Sequence, residues 1–87
     1  MNTNINDAMK PIFDRLDLDP VEFKYYEQSS KFISNPFHYT EDEQYNIVIE
    51  VVNNIGTIFL GTSDGVKFTE IELLGRIKFD GNNWVLL

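Results

Sequence analysis

Ile5, Met9, Ile12, Phe13 and Leu16 recur at intervals of three or four, which places them on one side of a 3.6-residue period. Asn4, Asn6 and Asp7 are available as N-cap residues, so the pattern predicts a short amphipathic helix over residues 5–17. Pro11 falls inside it. Its missing N–H is harmless only in the first turn, so the regular helix is expected to start near residues 8–10 or to bend at the proline. The next segment carries two signals. Asp19-Pro20-Val21-Glu22 has the capping chemistry of a second helix, and that reading is preferred for residues 20–33. Against it, Val21, Phe23 and Tyr25 alternate with Glu22 and Lys24 at the two-residue period of a strand.

Ser34-Asn35-Pro36 breaks the chain, and Phe37 to Glu43 reads as a loop or short edge strand. From Gln44 onward the alternation is that of a sheet. Ile47, Ile49 and Val51 project to one face while Val48 and Val52 flank Glu50 on the other. Asn53-Asn54-Ile55-Gly56 supplies turn residues and Thr57 to Gly61 runs back, predicting a hairpin. Ser63-Asp64-Gly65 marks another turn, and Val66 to Leu74 a strand whose phase shifts between Phe68 and Ile71, as a bulge or bend would cause. Gly75 interrupts it before Arg76 to Phe79. Asp80-Gly81-Asn82-Asn83 closes a last hairpin with Trp84 to Leu87, whose apolar run predicts a buried Trp84 and a C-terminus tied into the sheet. The expected fold class is α+β, with one or two N-terminal helices packed on a four- to five-stranded antiparallel meander. A five-stranded sheet closing into a small barrel is the alternative.

At 87 residues the chain suffices for a single domain over residues 1–87, and its 43% hydrophobic content is that of a globular protein. It has no cysteine, which excludes a disulfide scaffold and thiolate zinc ligands and fits a cytoplasmic protein. Residues 1–20 lack the basic start and apolar run of a signal peptide, and the most apolar stretch, Ile47 to Leu60, is broken by Glu50, Asn53 and Asn54, so no membrane association is expected.

Charge changes the picture most. Fourteen acidic residues face seven basic ones, a formal charge of −7, which disfavours direct binding to nucleic acid and favours basic protein partners. The acids are densest at Asp14, Asp17, Asp19 and Glu22, and in the contiguous triplet Glu41-Asp42-Glu43. Tyr25, Tyr26, Phe37, Tyr39 and Tyr45 form the richest aromatic segment outside the expected sheet and overlap that triplet. Tyrosine joins apolar area to a hydroxyl, and neighbouring carboxylates can pair with Arg or Lys, so Tyr25, Tyr26, Tyr39, Glu41, Asp42, Glu43 and Tyr45 are the expected partner-binding residues.

Catalytic patterns are weak. Gly61-Thr62-Ser63-Asp64-Gly65 matches the G-x-S-x-G of a nucleophile elbow, but a strand is expected after it where a helix is required, and the lone histidine, His38, precedes it. Glu70 and Glu72 would share a strand face, as any half-buried strand arranges. His38 beside the acidic triplet could serve as a pH-sensitive contact or join those carboxylates as a metal ligand, but with one histidine and no cysteine a surface-loop histidine is the preferred reading. No catalytic residue, metal or cofactor is therefore expected.

In size, charge and lack of cysteine the chain resembles the small inhibitors that phages direct against CRISPR or restriction systems, a likeness of general build that carries no motif. It implies an acidic, DNA-mimicking protein that blocks a nucleic-acid-handling partner. Two other readings stand beside it: an antitoxin or immunity protein, and a homo-oligomeric small-ligand-binding or structural subunit with the apolar strand Ile47 to Val52 at its interface.

Overall fold

A computed structural model describes residues 5–39, 43–63 and 67–87. The described residues fold as one helix and a curled antiparallel sheet. Helix α1 spans Ile5–Leu16, followed by strands β1 (Phe23–Tyr26), β2 (Lys31–Ser34), β3 (Phe37–His38), β4 (Gln44–Val52), β5 (Ile55–Ser63), β6 (Phe68–Phe79) and β7 (Trp84–Leu86). The sheet order is β1-β2-β4-β5-β6-β7, with β3 pairing β4 on a separate ladder. The α+β class holds, with a single helix among the described residues and more strands than the four or five expected.

The helix runs through Pro11. Pro11 is exposed, so the carbonyl deprived of its helical donor faces solvent, while Ile5, Ala8, Met9, Ile12 and Phe13 are buried. Asp17 adopts φ 57° and the Leu18 N–H donates to the Phe13 carbonyl at 2.9 Å, ending the helix in a left-handed cap. The second helix expected over residues 20–33 is replaced by the β1–β2 hairpin. Phe23 and Tyr25 are half-buried and Lys24 and Tyr26 exposed, so the two-residue alternation prevails over the cap at Asp19. A cap contributes only about 1 kcal/mol, less than burying aromatic rings, and here Phe23 stacks on Phe13 and Tyr25 packs on Phe32.

Pro36 lacks an N–H and cannot continue β2, yet the chain stays beside β4. Ser34 stitches the break. It is 4% exposed; its hydroxyl accepts the Ile47 N–H at 2.8 Å and donates to the Asn35 carbonyl at 3.0 Å. Its carbonyl accepts the Asn46 side-chain amide at 3.0 Å. Phe37 and His38 then resume pairing opposite Tyr45 and Gln44.

Strand β4 lies between β2 and β5 over most of its length, so its edges are occupied and the strand-edge interface expected over Ile47 to Val52 is not available. The sheet's outer strands are β1 and β7. Asn53 and Asn54, both at positive φ, make the two-residue β4–β5 turn, the geometry that matches strand twist. The long β6 bends by register shifts opposite Ile58/Phe59 and Leu60/Gly61. Gly61 is obligatory here, because a Cβ would meet the Thr69 carbonyl oxygen and the Phe68 ring.

These bends curl the sheet. Phe32 on β2 and Trp84 on β7 have ring centroids 5.9 Å apart, although β4, β5 and β6 intervene and a flat sheet would separate the two strands by about 19 Å. Helix α1 packs on the concave face. Arg15 donates to the Leu74 carbonyl at 2.6 Å, and Ile12 lies against Gly75. The core joins the helix residues to Phe32, Ile47, Ile49, Ile58, Leu60, Leu74, Ile77 and Trp84. Trp84 is 6% exposed, as its apolar run predicted.

Candidate functional site

Three hairpin turns gather at one end of the curled sheet. The β1–β2 turn is closed by the Ser29 N–H to the Tyr26 carbonyl and the Ser30 N–H to the Glu27 carbonyl, both at 3.3 Å. The Asn53-Asn54 turn is tied to the β6 end by the Phe79 N–H donating to the Asn54 carbonyl at 2.8 Å. In the β6–β7 turn one carboxylate oxygen of Asp80 accepts the N–H groups of Asn82 at 2.9 Å and Asn83 at 2.8 Å. The Asn83 N–H, then the Asn82 N–H, hold the Asp80 carboxyl below its ordinary value by stabilising the ionised form.

Between these turns lies a cleft of about 470 Å³ lined by Tyr25, Phe32, Val51, Asn54, Phe79, Asn82 and Trp84. Its aromatic rings form a continuous run. Tyr25 and Phe32 are 4.8 Å apart, Phe32 meets Trp84 edge-on, and Trp84 and Phe79 are 5.3 Å apart. Phe32 and Trp84 are buried and form the floor, while Tyr25 and Phe79, half-buried, form the walls. No residue of α1 lines it, because the helix covers another part of the concave face.

The expected partner-binding residues are divided among separate regions. Tyr39, 43% exposed, packs edge-on against Tyr45 with centroids 5.6 Å apart. Tyr45 is buried and donates its hydroxyl to Glu43 at 3.3 Å. Tyr39, Glu43 and Tyr45 thus form one cluster where β4 begins. Tyr25 and Tyr26 are elsewhere, and as neighbours on a strand they point to opposite faces: Tyr25 into the cleft, Tyr26 outward beneath the Lys24 ammonium, which lies 5.5 Å from its ring centre. Glu41 and Asp42 lie outside the described residues, as does most of the Ser63-Asp64-Gly65 turn.

Every described acidic residue is exposed. In the dense stretch from Asp14 to Glu22, the one basic side chain, Arg15, is held on the Leu74 carbonyl. The remaining chemical candidates stay apart. Gly61, Thr62 and Ser63 belong to β5, and the next described element is strand β6 and not a helix. Glu70 pairs Gly61 and Glu72 pairs Leu60 across a register shift, which breaks the alternation that was expected to put them on one face. His38 is exposed opposite Gln44. Among the described residues no group of His, Asp or Glu is placed to hold a metal, and no helix is long and apolar enough to cross a membrane.

The cleft was missed by sequence reasoning because its lining comes from β1, β2, β4, β6 and β7 with their turns; the available signal was the pairing of aromatic positions flanking two turns, Tyr25 before Glu27–Ser30 and Phe79 before Asp80–Asn83. Compared with protein-family models, with curated proteins and with solved structures, the chain matches none, so its functional reading rests on its own residues.

Proposed function

We propose that this protein is a non-enzymatic inhibitor that binds a basic protein, and that its partner is one that handles nucleic acid, in the manner of anti-CRISPR or anti-restriction proteins. The single observation that carries the reading is a charge of −7 whose described acids all lie on the surface. Buried acids would serve packing or catalysis; exposed ones act through the field they project. That field draws in a cationic groove and repels a phosphate backbone. The stretch Asp14 to Glu22 follows the helix, and the Tyr39–Tyr45–Glu43 cluster adjoins the rest of the acidic triplet in sequence. Tyr39 offers the exposed ring that a protein interface uses as an anchor.

The test is capture of the partner from the natural host, identification by mass spectrometry, and competition. With nucleic acid bound to the purified partner, increasing amounts of this protein should displace it. Simultaneous binding of both, or a partner without a basic surface, would refute the reading.

A further inference from the structure

We propose that the aromatic cleft at the turn end binds a compact organic cation of the alkylated-ammonium class, seated between Tyr25 and Phe79 above the Phe32–Trp84 floor. This goes beyond the inhibitor reading and does not depend on it. The cleft has the size of a small-ligand pocket, about 470 Å³. Among the described residues its lining includes no Lys, Arg or His, so an anion would find no counter-charge there and would oppose the net charge of −7. The polar side chains among those described residues are Asn54, Asn82, the hydroxyl of Tyr25 and the indole N–H of Trp84, few for a ligand recognised by many hydrogen bonds.

An alkylated ammonium has the complementary chemistry. Its charge is spread over methyl groups, which pack on ring faces and need few acceptors, and the negative face of each aromatic ring attracts it. Asp80 adds a fixed negative charge in the turn beside the cleft. Two backbone N–H groups hold that carboxylate in place, and Lys78 is near enough to favour its ionised form as well. The walls are preformed: Phe79 is anchored through its N–H to Asn54 and by its ring to Trp84, and Tyr25 by its ring to Phe32. Binding therefore requires little ordering of the site.

Two sources could deliver this group, a free quaternary amine or a trimethylated lysine side chain on a protein, and they are separated by the choice of probe. The experiment is an amide and indole chemical-shift titration of the whole chain. The probes are choline, its neutral isostere with carbon in place of the quaternary nitrogen, a trimethyllysine peptide, and the same peptide unmodified. Choline or the trimethyllysine peptide should bind in the millimolar range or tighter, shifting the amides of Asn54, Gly81 and Asn82 and the indole of Trp84. The isostere, or the unmodified peptide, should bind at least about 5-fold more weakly. Tighter binding of the free amine assigns the first source, and of the peptide the second. Phe79→Leu and Tyr25→Leu should each weaken binding by about 2- to 30-fold, with Tyr39→Leu as a control that leaves it unchanged. Equal affinity for cation and isostere, shifts confined to the Tyr39–Tyr45 end, or no shift with any probe would overturn the proposal. Those readouts use the unaltered protein, so they stand even if a cleft variant fails to fold.

Discussion

Replacing Ser34 by alanine isolates the device that carries the sheet past Pro36. The serine is 4% exposed, and its hydroxyl accepts the Ile47 N–H at 2.8 Å one position past the last β2–β4 pair, Ile33 opposite Val48. Alanine preserves the shape of the backbone and removes only that oxygen. The Ile47 amide is then buried without an acceptor, and such a group costs about 1–3 kcal/mol. Small domains have about 5–15 kcal/mol in total, with a melting point that moves about 4–8 °C per kcal/mol at this size. Ser34→Ala should therefore melt about 5–20 °C below the parent. In urea its midpoint should fall with an unchanged slope, since the same surface is exposed on unfolding. Ser29→Ala serves as the control, because that hydroxyl is exposed and sits 3.5 Å from its acceptor. It should stay within about 0.5 kcal/mol of the parent. A Ser34→Ala protein that melts with the parent would show that the hydroxyl is not what joins β2 and β3 to β4.

Trp84→Ala removes the ring that links Phe32 to Phe79 and should cost about 3–5 kcal/mol, a large share of the stability of a domain this size; circular dichroism melting checks it. Gly56→Ala places a methyl 2.7 Å from Ile49 Cγ2 and 2.9 Å from Ile77 Cγ1, and the overpacking should lower stability by about 1–3 kcal/mol in urea titration. Asp80 has a folded pKa below its ordinary 3.8, so its contribution to stability is present above that value and lost as pH falls through the lower folded value. Asp80→Asn should accordingly melt below the parent at neutral pH, and the gap should close in acid; a gap that persists unchanged there would exclude the carboxylate as its cause.

The parts of the fold legible in the chain are those fixed by local alternation or turn chemistry. Ile47, Ile49 and Val51 identified β4, Asn53-Asn54 its turn, and Asp80 to Asn83 the last hairpin, because positive φ and a side-chain acceptor are local requirements. The β1–β2 hairpin was obscured because Asp19-Pro20-Val21-Glu22 satisfies a helix start locally, while the packing that decides the matter, Phe23 on Phe13 and Tyr25 on Phe32, is tertiary. Pro11 was expected to shift or bend the helix; the buried positions on either side of it outweigh one missing hydrogen bond on the wet face. The cleft was illegible for a geometric reason. Phe32 and Trp84 meet only because register shifts curl the sheet. The same curl and the strand alternation send Tyr25 and Tyr26 to different surfaces, away from Tyr39 and Tyr45, so the aromatic segment read as one face in the sequence is several in space.

The central claim is that surface charge drives association with a basic partner, and paired charge-removal variants test it most directly. Replacing Glu41, Asp42 and Glu43 by Gln, Asn and Gln removes the acidic triplet at nearly constant size, and should change stability by less than about 1 kcal/mol. Glu70→Gln with Glu72→Gln removes exposed charge on another strand and controls for the overall field. With the captured partner, the triplet variant should bind about 5- to 150-fold more weakly, the Glu70/Glu72 variant less so. Association of the parent should slow steeply as salt rises from about 0.05 to 0.5 M. Association rates flat with salt, together with undiminished affinity in both variants, would contradict the account.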